Sequence, residues 1–294
     1  TASSTEKISI FGSKLYVTTQ NDGLFYSGNN GNTWVSISTG LRDVWVISST
    51  VHDSILFSGA FYGGVYTSNL TGSFWTNANT GLIGSWTKGL MFEGNTLYAG
   101  TYSEGIFTSN DNGNTWIDQN NGLPNSTNIN CISKLGSTLL TGTNNNGIYS
   151  STNNGNLWTS SSVGISFPNV NKIINNGTDL FAATYEGIYY SSNNGLSWVS
   201  SDNGIILSSS INSIDISGST LIAGTNLGGI YISNNLGVNW ASANNGIIDL
   251  NISLVAIEGP NYYAIGWSGI FYWSNDSGST WTVMNSSLPT APHG

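Results

Sequence analysis

Gly105-Ile106-Phe107-Thr108-Ser109-Asn110-Asp111-Asn112-Gly113-Asn114-Thr115-Trp116 runs from a glycine through a β-forming, aromatic stretch into the ending Ser-x-Asp-x-Gly-x-Thr-Trp. The same ending returns as Ser274-Asn275-Asp276-Ser277-Gly278-Ser279-Thr280-Trp281. Working outward from these two, Trp34, Trp75, Trp116, Trp158, Trp198, Trp240 and Trp281 follow one another at 41, 41, 42, 40, 42 and 41 residues. Self-similarity at a fixed period outranks any local reading of a chain, so the 294 residues divide into seven units.

In the other five copies the Asp position holds Asn29, Leu70, Asn153, Asn193 and Asn235, while the glycine persists as Gly31, Gly72, Gly155, Gly195 and Gly237. Asp or Asn can hydrogen-bond backbone groups across a turn, Gly supplies a positive φ, and Trp closes the unit with a large buried ring. Leu70 cannot make that bond, so the second turn is expected to be the loosest.

Each unit contains four short β-like runs, as in copy six at Ile211–Ile216, Thr220–Thr225, Gly229–Ser233 and Asn239–Ala243. Runs of this length joined by short turns make an antiparallel meander, and one such sheet cannot bury both of its faces alone. Repeating it radially packs face on face. The fold class is therefore all-β: a seven-bladed β-propeller of four-stranded antiparallel meander blades, closed without strand exchange. The blades fall at approximately 6–41, 42–82, 83–122, 123–164, 165–204, 205–246 and 247–288, one propeller over 1–288, with 289–294 as a linker stub. Small pairs in the second runs, Ala99-Gly100, Ala182-Ala183 and Ala223-Gly224, are expected to let neighbouring sheets approach closely.

Only 7% of residues are charged, so solubility rests on neutral hydrogen-bonding side chains. A net charge of −9, with six scattered Lys and Arg, argues against nucleic acid and against a polybasic membrane patch. No apolar run approaches the ~20 residues of a membrane span. The lone Cys131 excludes a disulfide within the chain and reads as a small buried hydrophobe. The polar, charge-poor repeats are in the style of exported surface proteins, and a start at Thr1 without an apolar leader fits a processed or trimmed chain. The expected location is secreted or cell surface, as a monomeric propeller or as one module of a larger parent protein.

The Ser-x-Asp-x-Gly-x-Thr-Trp copies resemble the Asp-box, or bacterial neuraminidase repeat, and the likeness covers essentially the whole chain. The resemblance implies a propeller and a purely structural turn role for Ser109, Asp111, Gly113, Thr115 and Trp116, and for Ser274, Asp276, Gly278, Thr280 and Trp281. It does not fix an activity. Sialidases of that family grip a carboxylate with three arginines, because bidentate, charge-assisted recognition demands them. This chain has one, Arg42. Xyloglucan-cleaving relatives place their carboxylates between two propellers, and one is present here.

Glycoside hydrolysis needs two neighbouring carboxyls. Glu104 and Glu186 sit at matching positions ahead of their repeat glycines, but in non-neighbouring blades, which favours solvated loop acids. With His52 and His293 the only histidines, neither a nucleophile triad nor a metal site can be assembled, and no cofactor or metal is expected. Exposed aromatics are the more informative signal. The meander puts the blade-to-blade connections and the second-to-third-strand turns on one face, opposite the Asp-box turns. On that face lie Trp45 and Trp86 in connections, and Tyr62, Tyr102, Tyr185 and Trp267 just before repeat glycines. Arg42, Asp43, Asn144, Asn145, Asn146 and Asn226 can supply polar partners there. Such a cluster points to a non-catalytic exported binding module for carbohydrate or a surface polymer. The alternatives are a protein-interaction or structural scaffold of a larger extracellular adhesin, and an unrecognised glycan-active enzyme.

Overall fold

The computed structural model describes residues 5–42, 45–84, 86–206 and 210–284. The chain is all-β: seven sheets, each of four antiparallel strands taken in sequence order, a seven-bladed β-propeller. The first blade uses Thr5–Phe11, Lys14–Thr19, Leu24–Ser27 and Val35–Ser36, and the last uses Ile252–Glu258, Asn261–Gly266, Phe271–Ser274 and Thr282–Val283. Among the described residues, each of these terminal blades takes its four strands from one continuous segment. The fourth strand of every blade is only two residues long. The stub expected at 289–294 lies outside the described residues.

By its contacts the chain divides into two compact units: one running to Asn120 with Asn125–Ile129, and one of Asn121–Pro124 and Asn130–Met284. In both, the core lies between adjacent sheets. In the first unit Tyr16, Leu24 and Ile37 of blade one close on Val46, Leu56, Tyr66 and Trp75 of blade two. In the second, Phe181 and Ile188 of blade five meet Ile214, Leu221, Tyr231 and Trp240 of blade six. The small second-strand residues do bring sheets together. A Cβ on Gly142 would stand 2.7 Å from Val170 Cγ1 of the next blade, and one on Gly224 2.6 Å from Ile252 Cγ2.

The repeat tryptophan does more than fill space. Its indole N–H donates to a carbonyl of the preceding blade: Trp116 to Ala78 at 2.8 Å, Trp198 to Ser161 at 2.8 Å, Trp240 to Ser201 at 2.7 Å and Trp281 to Ala243 at 2.8 Å. Its backbone N–H donates to a second one, Thr80, Val163, Asn203 and Asn245 respectively. Each ring is therefore pinned at two points to its neighbour. Inner strands are tied as well, since the side-chain amides of Asn130, Asn171 and Asn212 donate to the carbonyls of Val170, Ile211 and Ile252.

The Ser-x-Asp-x-Gly turns form as their residues dictate. Ser109 Oγ donates to Asp111 Oδ1 and accepts the Gly113 N–H, while the Asp111 carboxylate accepts both the N–H and the hydroxyl of Thr115. Asn153 and Asn235 reproduce the backbone bond in their own turns. The second turn corrects the expectation for Leu70. Asn69, one residue earlier, accepts the N–H groups of Thr71 and Ser73, so the pin is displaced by one position and not lost. Cys131 is also less enclosed than expected, half-buried against the core between blades four and five.

These turns make a pH prediction. Hydrogen bonds from Thr115 and Ser109 lower the Asp111 carboxyl, and those from Thr280 and Ser274 lower Asp276 from an ordinary 3.8 to about 2. A depressed folded-state value means stabilisation that is present above the unfolded value and lost as pH falls through the folded one. Denaturant midpoints should therefore fall between about pH 4 and pH 2, and the double variant Asp111→Asn, Asp276→Asn should flatten that limb. A variant curve as steep as the parent's would show that these carboxylates do not set it.

Candidate functional site

At one end of five blades, the residue following the second strand donates its N–H to the carbonyl of the residue preceding the first. The pairs are Phe61 to Trp45, Tyr102 to Trp86, Tyr185 to Asn169, Asn226 to Ser210 and Trp267 to Asn251. These bonds bring the blade-to-blade connection and the second-to-third-strand turn together at one end, as expected. They also show that the counterpart of Tyr102 in blade two is Phe61, with Tyr62 its neighbour. Phe61 sits 41 residues before Tyr102, so the spacing itself was the signal that could have found it.

In the first unit these rings form a continuous stack. Trp45 lies flat on Phe61, with centroids 3.7 Å apart and planes 5° from parallel. Phe61 meets Trp86 at 3.8 Å, and Trp86 meets Tyr102 at 4.3 Å. Tyr62 stands edge-on to Phe61 at 4.4 Å. Phe61 is buried as the filler between two half-buried indoles, while Tyr62 is 72% exposed and Tyr102 38%. The structure thus joins Trp45, Tyr62, Trp86 and Tyr102, with Tyr62 presenting the open ring.

Beneath the stack, the Trp45 indole N–H donates to Glu6 Oε1 at 3.2 Å. Burial pushes the Glu6 carboxyl up, and the Trp45 bond and the charge of Lys88 act against that rise. Glu6 and Lys88 occupy the inner-strand bulge positions where later blades carry Asn171 and Asn212. Trp45 and Trp86 likewise stand where Asn169, Ser210 and Asn251 stand later. The fold is satisfied by neutral Asn and Ser at both positions, so it does not itself require the charged and aromatic residues of the first unit.

The second unit carries two separate features. Tyr185 is 55% exposed and lies 6.2 Å from Phe167 in near-parallel arrangement. Trp267 is 60% exposed, and next to it Ser268 donates from N–H and hydroxyl to Asp249, whose carboxyl stays below the usual range. Burial opposes that lowering, and the Ser268 and Asn251 bonds outweigh it. Among the polar candidates, Asn144 accepts the Asn169 amide, Asn146 donates its N–H to Thr143, and Arg42 is exposed. Asp43 lies outside the described residues. Glu104 and Glu186 are exposed loop residues; the Glu104 carbonyl accepts the Asn120 amide, and the Glu186 N–H donates to Thr184. The loop holding Tyr185 and Glu186 is one residue shorter than its counterparts, since Thr184 reaches Gly187 where Thr101 reaches Gly105.

No protein-family model matches the chain, and no curated protein matches it. Solved structures do. The chain resembles a GH74 xyloglucanase from Xanthomonas campestris with a TM-score of 0.78 at 13% identity, over 98% of this chain and 55% of that one. It resembles the extracellular domain of BT4673 from B. thetaiotaomicron at 0.75 and 15% identity, over 99% and 47%. PorZ, a bacterial surface component of the type-IX secretion system of Porphyromonas gingivalis, gives 0.69 and 18% identity, over 100% and 39%. The chain therefore spans between 39% and 55% of these three proteins. What is shared at such identities is the seven-bladed propeller. No helix among the described residues is long and apolar enough to cross a membrane.

Proposed function

We propose that the chain is a non-catalytic, exported binding module of the Asp-box repeat kind that takes carbohydrate or another surface polymer on its aromatic-bearing loops. The observation that carries the reading is the Trp45–Phe61–Trp86–Tyr102 stack, whose two indoles stand where later blades carry Asn or Ser, with Tyr62 open at its margin. A rigid, edge-anchored set of rings offers flat apolar area at little entropic cost, and sugar rings bury their C–H faces on such area. Trp267, with Ser268 and Asn251 beside it, supplies a second platform of the same chemistry. The extracellular and surface settings named for BT4673 and PorZ support export, and the xyloglucanase supports a glycan ligand. The exposed, backbone-tied Glu104 and Glu186 support the non-catalytic reading.

The test is a glycan array followed by calorimetry. Tyr62→Ala and Trp267→Ala change exposed rings, so both should fold normally, and at least one should weaken a saturable glycan interaction about tenfold, or ~1.4 kcal/mol. Silence across the array, or binding untouched by both variants, would remove the proposal.

A further inference from the structure

A cleft of about 720 Å³ opens in the second unit, between the outer strand of blade five, Val199–Ser200, and the repeat turn of blade six. Val199, Ile205, Leu236 and Val238 form its apolar walls, and Asp202 and Ser200 add polar groups. Leu236 and Asp202 depart from the chain's own repeat, and Val238 adds exposed apolar surface beside them. Leu236 sits at φ 55, the left-handed position that Asn30, Asn112, Asn154 and Asn194 occupy in other blades. Asn tolerates that conformation through local hydrogen bonds, whereas leucine has none to offer. Val238, 64% exposed, stands where three blades carry Asn32, Asn114 and Asn156, two carry serine and blade five carries the similarly exposed Leu196. Asp202 replaces Asn79, Asn120 and Asn244, each of which caps a backbone N–H and donates back to a carbonyl. An aspartate cannot make the second of those bonds.

Part of Leu236 covers the core beside Tyr190, so its lower half has a packing role. Its left-handed backbone is not explained by packing, and Asp202 accepts the Ser200 hydroxyl at 2.6 Å at the groove's edge. Together these residues line an apolar groove in which Asp202 is the only charged residue. The edge strand adds direction. Ser201 donates its N–H to Ile188, so the alternation of an antiparallel ladder turns the Ser200 backbone away from Tyr189, outward from the sheet.

From this geometry we infer that the groove between blades five and six docks an extended protein segment carrying an apolar side chain next to a basic one. The apolar residue seats between Leu236 and Val238, the base pairs with Asp202, and the Ser200 backbone offers strand-type bonding. This site does not depend on the aromatic loops or on the glycan reading.

Three substitutions that restore the repeat's own residues provide the test: Asp202→Asn, Leu236→Asn and Val238→Asn. Asp202→Asn and Val238→Asn are expected to leave the melting temperature unchanged or raised, whereas Leu236→Asn also gives up the packing of Leu236 on the core. The probe is the fluorescent peptide acetyl-Lys-Val-Lys-Val-Lys-amide, with Lys-Ser-Lys-Ser-Lys and Glu-Val-Glu-Val-Glu as companions, followed by anisotropy. The inference predicts saturable binding of the Lys-Val peptide, at least tenfold loss in Leu236→Asn and Val238→Asn, and loss with a weaker salt dependence in Asp202→Asn. Equal binding of the Lys-Ser peptide would mean general attraction to an acidic protein and would overturn it. So would binding that survives all three reversions, or absence of binding. Sedimentation showing a parent dimer that Leu236→Asn dissociates would assign the groove to a second copy and overturn the peptide assignment. If Leu236→Asn fails to fold, the exposed Val238→Asn and the consensus Asp202→Asn carry the test alone.

Discussion

Trp198→Ala should be destabilised by about 5 kcal/mol relative to the parent, the largest single-residue effect expected in the second unit. Two losses combine. The ring is buried among Leu140, Ile148, Ile173 and Leu180, between blades four and five, and removing a buried indole costs roughly 3–5 kcal/mol in lost transfer energy and residual cavity. The Ser161 carbonyl, which accepts the indole N–H at 2.8 Å, is then left without that donor beside a buried side chain, for about 1–3 kcal/mol more. The two are not additive, because water can reach a collapsed site, hence the intermediate figure. Urea midpoints would read it, and at ~2–4 °C per kcal/mol the melting temperature should drop by roughly 10–20 °C. Trp198→Phe separates the parts: it keeps most of the ring and loses the donor, so it should cost ~1–3 kcal/mol. If Trp198→Ala lay within 1 kcal/mol of the parent, the tryptophan would be a marker of the repeat and not its fastener.

The fold was legible in the sequence for a reason this variant makes plain. A residue that both fills the space between two sheets and bonds to the earlier one must recur once per sheet, so its spacing counts blades. Strand positions followed from the same register, as the six-to-seven-residue inner strands and the turns show. What escaped notice was chemistry carried by a neighbour. At the second turn the eye falls on Leu70, yet the chain moves the same side-chain-to-backbone bond one residue back to Asn69. Motif reading tests positions; hydrogen bonding only requires an oxygen within reach.

The aromatic loops were legible to a lesser degree. Tyr62, Tyr185 and Trp267 are exposed rings at the expected end of their blades. Trp45 and Trp86 instead turn inward onto Phe61, a residue hidden by its adjacency to Tyr62 and recoverable only by aligning all copies. Glu6 and Lys88 escaped because the β-bulge that positions them leaves no mark in alternation patterns. Once the copies are superposed, the informative residues are those that depart from the repeat without a structural reason. The first-unit stack and the groove between blades five and six both emerge by that criterion.

Gly164→Ala should cost more than about 3 kcal/mol although it adds one methyl group. Gly164 has φ +93, and a Cβ there would run into the Trp198 carbonyl oxygen, with the Trp198 carbonyl carbon at 3.0 Å and its nitrogen at 3.4 Å. Left-handed strain alone costs ~1–2 kcal/mol. The obstacle is backbone held by the Trp198 N–H bond to Val163, so relief means parting two blades, for about 1–3 kcal/mol and part of that bond. Gly136 provides the control. At φ +56 it has nothing within 4 Å of its notional Cβ, so Gly136→Ala should show the strain without the collision. The difference in denaturation midpoint between the two alanine variants then measures how tightly successive blades are drawn together at the tryptophan. Gly122, Gly204 and Gly246 meet Trp158, Trp240 and Trp281 in the same way, so their alanine variants should behave as Gly164→Ala does. Equal shifts for Gly164→Ala and Gly136→Ala would mean that the interblade backbone yields readily, and the close approach of these glycines would then have no energetic consequence.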